Sequence, residues 1–211
     1  MIPERFLPTF NSSAIELFLH RIPGLSEHFI YFNDDMIALK PMTPDRWFNV
    51  ETGIPNNHFL MSKMKYPVPS HIYSFKNALE LAESISNFHN YPKSPGKYFS
   101  LQHCSKAIQK STCEELWGKA GERLEESITP FRSEKSINGY VFQYYDLFTN
   151  RCNNVVRTGS NHITRKNASV LDFMPMNEVC INIGDNRVKS KLLGFIRSFL
   201  MYTSDKMPVS V

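Results

Sequence analysis

The residues best suited to chemistry are three consecutive ones near the N-terminal end of the chain, Asn33, Asp34 and Asp35. Two carboxylates beside an amide oxygen are the hard ligands that Mg²⁺ takes in proteins, and Mg²⁺ also binds substrate phosphates. The competing interpretation is an Asx-rich turn without a ligand, because Asn and Asp side chains hydrogen-bond to nearby backbone and favour turns. These three residues alone favour the turn, so the surrounding elements must decide.

The chain reaches these residues through a predicted strand at 29–32, whose aromatic and β-branched side chains favour β-structure. A helix is predicted before this strand. It begins with a capping box, in which the Ser13 hydroxyl accepts from the backbone N–H of Glu16 and the Glu16 carboxylate reaches back. Pro23-Gly24 ends this helix after about two turns. Two carboxylates and an amide are therefore expected at the carboxyl end of a strand.

The rest of the sequence alternates helical and extended patterns. Residues 40–74 hold five of the 13 prolines and predict an irregular excursion, and residues 150–167 predict a polar, basic loop. Strand, polar turn and helix follow one another twice, which favours an α/β architecture with ligands at the carboxyl ends of strands. The other predicted elements are helices at 75–88, after the capping box of residues 112–115, at 137–148 and at 188–199, and a strand at 179–183.

The composition indicates a folded protein that does not cross a membrane. The 211 residues suit one domain, 42% of them are hydrophobic, and only 21% are charged. The best candidate for a membrane span, residues 192–202, is short and is interrupted by Arg197. The N-terminus lacks the apolar core of a signal peptide, which predicts a cytoplasmic protein or a chain cut from a longer one.

Cysteine spacing and charge bear on two further classes of protein. The four cysteines form no C-x-x-C pair, so neither a zinc site nor a dithiol redox centre is predicted. The net charge is +4, and residues 151–211 alone carry +5. This basic third should attract anions, which nucleic acid, anionic lipid or a phosphorylated substrate could supply, although a charge of this size is most often only a solvated face. No nucleic-acid-binding motif accompanies it, so a nucleic-acid-binding module is the weakest interpretation.

Several motifs within the first 35 residues together resemble one known family. They are Leu7-Pro8-Thr9-Phe10-Asn11-Ser12, Ala14-Ile15-Glu16, Leu19-His20-Arg21-Ile22-Pro23-Gly24-Leu25-Ser26-Glu27 and Phe29-Ile30-Tyr31-Phe32-Asn33-Asp34-Asp35. The series resembles the second conserved region of the Stealth family of capsular and exopolysaccharide phosphotransferases. That family also includes the catalytic subunit of the animal N-acetylglucosamine-1-phosphotransferase. Residues 103–150 resemble its third region, and residues 179–211 resemble its fourth.

The resemblance implies an α/β fold with a Rossmann-like core of the nucleotide-sugar-transferase type and helical insertions. It implies transfer of a sugar 1-phosphate from a nucleotide sugar, such as a UDP-N-acetylhexosamine, to a hydroxyl of an acceptor sugar. The product would be a phosphodiester-linked capsular or exopolysaccharide. The implied cofactor is Mg²⁺ or Mn²⁺, and the implied partners are the nucleotide sugar and the acceptor glycan. Peripheral contact with the inner face of the membrane is a further option.

The same resemblance assigns roles to particular residues. Asp34 and Asp35 would bind the metal and the diphosphate, and Asn33 would hold the loop or a sugar hydroxyl. His103 would be the general base, since an imidazole with a pKa of about 6.5 can accept a hydroxyl proton at neutral pH. Arg132 would clamp phosphate oxygens with two parallel hydrogen bonds. These roles require Asp35, His103 and Arg132 to face one cleft.

Further residues receive weaker assignments. Lys106 would join the predicted base on one face if that segment is helical, although a surface cation is the simpler interpretation. His20 and Arg21 are second-tier substrate-binding residues, because cations at the end of a helix also favour its dipole. In the fourth region, Asn182 would bind substrate and Asp185 would bind metal.

Two departures from the family pattern affect these expectations. Stealth proteins carry an aspartate-bearing first region upstream of the Leu-Pro-Thr-Phe-Asn-Ser motif, so the core is expected to be incomplete at its N-terminal side. In the fourth region the family resembles Cys-Ile-Asn-Asp, whereas this chain has Ile183 at the last position and offers only Asp185 nearby. The alternative function is therefore a non-catalytic remnant that binds sugar phosphate or needs a partner chain. Self-association is also expected, because an incomplete core would leave unpaired strand edges and exposed apolar surface.

The apolar residue at Ile183 leads to a measurable expectation for the metal. The chain should bind Mg²⁺ or Mn²⁺ weakly, because affinity for hard cations depends on the number of charged oxygen ligands. In a calorimetric titration, the double substitution Asp34→Asn and Asp35→Asn should abolish the remaining binding. Tight binding that survives both substitutions would place the metal elsewhere.

Overall fold

The structure of the chain is a computed structural model. It describes residues 1–63, 73–86, 97–101, 104–155, 160–163 and 177–181. Within these ranges helices are mixed with small open sheets, which is compatible with the predicted α/β class. The chain divides into two compact units. The larger unit takes the described residues within 1–31, 43–102 and 106–157, and the smaller takes those within 32–42, 103–105 and 158–211.

The helices with described bounds all belong to the larger unit. They are α1 (Ser12–Glu16), α2 (Tyr73–Ser86), α3 (Lys110–Glu126) and α4 (Tyr140–Phe148). The 3-10 turns are Glu4–Phe6, Leu19–Arg21 and Pro44–Arg46. The helices predicted at 75–88 and 137–148 are confirmed as α2 and α4 over their described residues, and α3 covers the predicted helix after residue 112. The helix predicted at 188–199 lies outside the described residues.

The strands are short and pair within each unit. In chain order they are β1 (His28–Tyr31), β2 (Met36–Ala38), β3 (Asn56–Asn57), β4 (Phe59–Lys63), β5 (Lys97–Leu101), β6 (Lys106–Gln109), β7 (Asn153–Asn154), β8 (Ser160–Ile163) and β9 (Glu178–Ile181). In the larger unit, β1 pairs with β6 and β4 with β5 in antiparallel fashion, and β3 pairs with β7 in parallel. The predicted segments 40–74 and 150–167 therefore contain short strands where they are described.

The smaller unit is built on a three-stranded sheet with β9 in the centre. β2 runs antiparallel to β9, with Met36 opposite Cys180, and β8 runs parallel to β9. The strand predicted at 179–183 is thus confirmed over its described residues. The sheet brings the first residue of β2 next to the last residues of β9, because antiparallel neighbours run in opposite directions.

The hydrophobic core of the larger unit lies among α2, α3 and α4. Burial of apolar side chains stabilises this packing by roughly 25 cal/mol for each Å² removed from water. Helix α4 is buried around nearly its whole circumference, so its polar atoms need partners inside the protein. The Tyr144 hydroxyl, for example, donates to the Phe99 carbonyl at 2.8 Å. The main core side chains are Ala78, Leu81, Ala82, Leu116, Leu124, Val141, Phe142, Tyr144, Tyr145 and Phe148.

Neither predicted capping box forms. The N-cap of α1 is Asn11, whose side chain accepts from the backbone N–H of Ser13 at 3.1 Å. The Glu16 carboxylate accepts instead from the backbone N–H of Gly139 at 2.8 Å and from the Tyr31 hydroxyl at 3.1 Å. Thr112 lies inside α3, which begins after Gln109. Both side chains are used by tertiary partners instead, since the Thr112 hydroxyl donates to the Asp146 carboxylate at 2.9 Å.

Asn11 also fastens a distant loop, residues 129–136, to the start of α1. Its side chain is fully buried, and its amide nitrogen lies 3.3 Å from both the Thr129 carbonyl and the Ser136 hydroxyl and 3.5 Å from the Phe131 carbonyl. The neighbouring Phe10 backbone N–H donates to the Pro130 carbonyl at 2.8 Å. One amide therefore caps a helix and holds together chain segments about 120 residues apart.

Asn11→Ala should lower the free energy of unfolding by about 2–4 kcal/mol. Loss of an N-cap costs about 1 kcal/mol, and buried acceptors left without a donor add about 1–3 kcal/mol. Urea unfolding measures the change. Asn49→Ala is a matched control, because the Asn49 side chain accepts two backbone N–H groups of its own exposed turn, from Glu51 and Thr52. Equal losses at the two positions would contradict the role given to Asn11.

Candidate functional site

The predicted metal-binding residues form a tight turn between β1 and β2. The Met36 backbone N–H donates to the Asn33 carbonyl at 3.1 Å and closes this turn. Asp34 is exposed, and Asn33 and Asp35 are half-buried. The three residues follow a strand, as the sequence predicts. That strand, β1, is half-exposed rather than buried.

The donor chemistry of this turn fits a hard divalent cation. Two carboxylates and an amide supply the oxygen ligands that Mg²⁺ and Mn²⁺ prefer. Within the part of the chain that the structure describes, no three His, Cys, Asp or Glu side chains are close enough together to hold a metal. Asp185, the third predicted metal ligand, lies outside the described residues. The metal site stays a prediction that Asp34 and Asp35 support.

A buried acid that sequence reasoning missed lies in the same unit. Glu178, the first residue of β9, is 1% exposed, and its carboxylate accepts from the Ser105 backbone N–H at 3.1 Å. The one sequence signal for the burial of Glu178 is its position directly before the apolar run at 179–181. Because β2 and β9 are antiparallel, the end of β9 lies beside the start of β2, and the chain continues from there to Asn182. Asn182 itself lies outside the described residues.

Arg132 belongs to the larger unit and is exposed in the loop that Asn11 fastens. One of its guanidinium nitrogens donates to the Ser12 hydroxyl at 2.6 Å. The adjacent Phe131 ring stacks on Phe10 with 5.4 Å between centroids and 14° between planes. Among the described residues Arg132 has no carboxylate partner. Its full positive charge and its remaining N–H donors therefore face solvent.

Lys106 is neither a surface cation nor part of a helix. It begins strand β6 and is only 3% exposed. Its ammonium group lies 4.9 Å from the centroid of the Tyr31 ring and 4.6 Å from that of Tyr140. Both expectations fail because β6 pairs with β1, which places Lys106 opposite Tyr31 in the sheet. Its contact with substrate stays a prediction.

His20 and Arg21 lie in a 3-10 turn that is separate from α1, so the helix-dipole interpretation is wrong. Burial lowers the pKa of His20 from 6.5 to about 4, and the positive charges of Arg21 and Lys110 lower it further. His20 is therefore neutral at physiological pH. Its Nε2 atom accepts from the Arg21 Nε–H at 3.4 Å, so the imidazole helps to orient the guanidinium.

The predicted base, His103, lies outside the described residues. The expected cleft that would join Asp35, His103 and Arg132 therefore stays a prediction. None of the four cysteines, all of which the structure describes, forms a disulfide bond, and burial raises the pKa of Cys113 well above its usual value and that of Cys152 to about 12.

Comparison with known proteins assigns the family. Residues 1–55 match the family model described as Stealth protein CR2, conserved region 2. The matched range contains the turn at Asn33, Asp34 and Asp35 and both residues that fasten α1, Asn11 and Glu16. Known phosphotransferases that are 30–40% identical support the same assignment. The chain belongs to the Stealth family.

Three relatives illustrate how far the likeness of this Stealth chain extends. An exopolysaccharide phosphotransferase of Streptomyces coelicolor is 37% identical over 153 residues, which are 69% of this chain and 25% of the relative. An exopolysaccharide phosphotransferase of Lactiplantibacillus plantarum is 40% identical over 65% of this chain and 40% of the relative. A receptor polysaccharide phosphotransferase of Streptococcus gordonii is 31% identical over 70% of this chain and 51% of the relative. The chain thus spans between a quarter and about half of each relative.

The described residues of this Stealth chain include no helix with the length and apolar character of a membrane span.

A buried acid in the core of the Stealth chain was also missed by sequence reasoning. Asp146, on α4, is 1% exposed and accepts from the Thr112 hydroxyl at 2.9 Å. Burial raises the pKa of Asp146 from 3.8 to about 7, although that hydrogen bond and the charge of Arg151 act in the opposite direction. The apolar stripe of α4 gave no sign that this acid faces the core.

Asp146 and His20 should influence stability in opposite senses over one pH range. The raised pKa of Asp146 gives stability that is complete below pH 3.8 and is lost as the pH rises to about 7. The lowered pKa of His20 gives stability that is complete above pH 6.5 and is lost as the pH falls to about 4. Between pH 4 and 6.5 the two slopes, each of about 1.4 kcal/mol per pH unit, cancel.

In Asp146→Asn, therefore, the free energy of unfolding should rise with pH by about 1.4 kcal/mol per unit between pH 4 and 6.5, relative to the unaltered chain. Urea unfolding at several pH values measures the slope. Adding His20→Gln should remove the rise again. A profile of Asp146→Asn that runs parallel to that of the unaltered chain would refute the assignment.

Proposed function

We propose that the chain transfers a sugar 1-phosphate from a nucleotide sugar to a hydroxyl of an acceptor sugar and so builds a capsular or exopolysaccharide. The observation that carries this proposal is the match of residues 1–55 to the second Stealth region, with two carboxylates and an amide in one turn at the end of β1. Relatives of this chain that are 31–40% identical to it are named polysaccharide phosphotransferases. A Rossmann-like core, a UDP-N-acetylhexosamine donor and a cytoplasmic location belong to the same proposal.

The proposed step is a displacement at phosphorus. The acceptor hydroxyl oxygen bonds to the phosphorus that carries the sugar, the bond from that phosphorus to the bridging oxygen breaks, and the nucleoside monophosphate leaves with the electron pair. The proton of the hydroxyl passes to a base. Catalysis of such a step consists largely of holding the reactants in line and stabilising charge on the phosphoryl oxygens.

Asp34 and Asp35 would hold Mg²⁺ or Mn²⁺, with Asp185 as a third ligand. The cation would neutralise the charge of the diphosphate when bound. The pairing of β2 with β9 supports this ligand set, because Cys180, near the end of β9, lies opposite Met36, the residue that follows the turn. Asn33 would support the loop or bind a sugar hydroxyl.

Arg132 would bind the phosphoryl oxygens, and His103 would take the proton. The environment of Arg132 supports its part in the proposal. A neutral hydroxyl on Ser12 orients the guanidinium without neutralising it, and Asn11 fixes the loop that carries it. An arginine held in this way keeps the charge and the paired donors that a phosphate requires.

The second candidate is a chain that binds sugar phosphate without turnover or functions with another copy or partner chain. The exposed aromatic pair formed by Phe10 and Phe131 supports this candidate. Phe10 is 71% exposed and Phe131 is 67% exposed, and Leu7 beside them is 51% exposed. Large exposed apolar side chains in one place mark surfaces that associate with other molecules.

Release of nucleoside monophosphate from a panel of UDP-sugars, with Mn²⁺ and with or without acceptor glycan, tests the proposed transfer. We expect slow, acceptor-dependent release that His103→Ala abolishes. Arg132→Ala should lower kcat/KM by about 10²–10³, the usual cost of losing one charge-stabilising donor. Lys135→Ala removes another cation of the same loop and should change kcat/KM less than about twofold.

Two outcomes would overturn parts of this proposal. Full activity of Arg132→Ala would remove Arg132 from the site. Absence of release from every donor, together with retained binding of UDP-sugar, would favour the non-catalytic candidate.

A further inference from the structure

A cavity of about 410 Å³ opens in the larger unit beside the turn that carries His20 and Arg21. Its walls come from that turn, from the following Pro23-Gly24 turn and from the first two turns of α3. Its lining residues are His20, Arg21, Ile22, Pro23, Gly24, Lys110, Glu114 and Trp117. A volume of about 300–1,000 Å³ is typical of small-molecule sites, and this lining is mostly polar.

Arg21 dominates the charge of this cavity. Its guanidinium carbon lies 4.6 Å from the centroid of the Trp117 ring and 5.0 Å from that of Phe18. The stacking fixes the plane of the guanidinium, and the bond from Nε to His20 fixes its rotation. Within the described ranges no carboxylate pairs with Arg21. Its two terminal nitrogens are thus held in place with their donors unused.

The remaining charges leave the cavity positive. Lys110 contributes a second cation, which lies 3.8 Å from Glu114, the one acid among the described residues of the lining. His20 is buried and, with a pKa of about 4, adds no charge at neutral pH. Glu27, the first acid after the Pro23-Gly24 turn, accepts from the Ser111 hydroxyl and backbone N–H at the start of α3. A rigid arginine fork next to a second cation is the arrangement that binds phosphate.

We propose that this cavity binds the phosphate group of a sugar phosphate or a nucleotide. Arg21 would grip two phosphate oxygens, Lys110 would supply a further charge, and the cavity has room for the group that carries the phosphate. Glu114 would compete with the phosphate for Lys110. The inference rests on the cavity alone and holds whether or not the chain transfers sugar phosphate.

Calorimetric titration of the full chain with inorganic phosphate, glucose 1-phosphate and UMP, without metal, tests the site. We expect Arg21→Gln to weaken binding of the best of these ligands at least tenfold and Lys110→Gln to weaken it severalfold. The order of the three ligands identifies the group that fills the rest of the cavity. Phosphate binding should also weaken as the salt concentration rises.

Two further variants make the test specific. Glu114→Gln should tighten binding, because it frees Lys110 and removes the negative charge from the lining. Arg5→Gln is the matched control, since Arg5 also stacks on an aromatic ring, 4.7 Å from the Phe6 centroid, but is paired with Glu125. It should change binding less than twofold.

Absence of binding for all three ligands would overturn the proposal, as would equal binding by Arg21→Gln and the unaltered chain. Weaker binding by Glu114→Gln would do the same. Should Arg21→Gln fail to fold, the other two variants decide the question. Glu114→Gln removes a negative charge and should tighten binding, whereas Lys110→Gln removes a positive charge and should weaken it. Because no metal or donor sugar is present, failure here is distinct from failure of the transfer assay.

Discussion

The buried amide of Asn11 is the constraint on which much of the larger unit depends. It caps α1 and binds the loop at 129–136, which carries Arg132. Five residues later, Glu16 binds the start of α4 through Gly139 and the end of β1 through Tyr31. Gly139 has no side chain for a physical reason, since a Cβ atom there would lie 3.0 Å from that of Glu16. A helix of five residues, too short to be stable alone, thus becomes the anchor of a loop, a strand and a longer helix.

This arrangement explains what the sequence motifs do physically. In the Leu-Pro-Thr-Phe-Asn-Ser series, both Asn11 and Ser12 contact the distant loop. The Asn11 side-chain amide donates to a backbone carbonyl of the loop, and the Ser12 hydroxyl accepts from Arg132. These residues hold a cationic side chain in place rather than offering chemistry of their own. A motif that looks like the start of a helix is therefore also the support of a candidate site. The sequence pattern cannot separate the structural role of this motif from its functional role, because the Asn11 amide both caps α1 and holds the loop that carries Arg132.

Local patterns predicted the elements of the fold better than the partners of individual side chains. Apolar periodicity located α2 and α4 because apolar side chains at helical spacing face the core in both, and the aromatic run located β1. The two capping boxes failed because capping is a weak, local interaction that a buried partner readily displaces. The environment of Lys106 was predicted wrongly because the residues around it in the sequence do not show that its strand pairs with a segment 75 residues earlier. Asp146 and Glu178 were missed for the same reason, since a single acid within an apolar run carries no sign of the direction it faces.

The candidate site was predictable to the extent that it lies on consecutive residues. The turn at Asn33, Asp34 and Asp35 was found from its residue types and the strand before it, and the resemblance to the Stealth family gave it the metal. Whether each cation is paired or available depends on contacts that only the fold supplies. Arg5 and Arg151 bind carboxylates, and Lys106 lies against aromatic rings. Arg132 and Arg21 are instead oriented by neutral acceptors, a hydroxyl and an uncharged imidazole. An arginine that is positioned without being neutralised keeps its attraction for anions. In a protein whose relatives handle phosphate groups, that difference in partners is what separates a structural arginine from one available to a ligand.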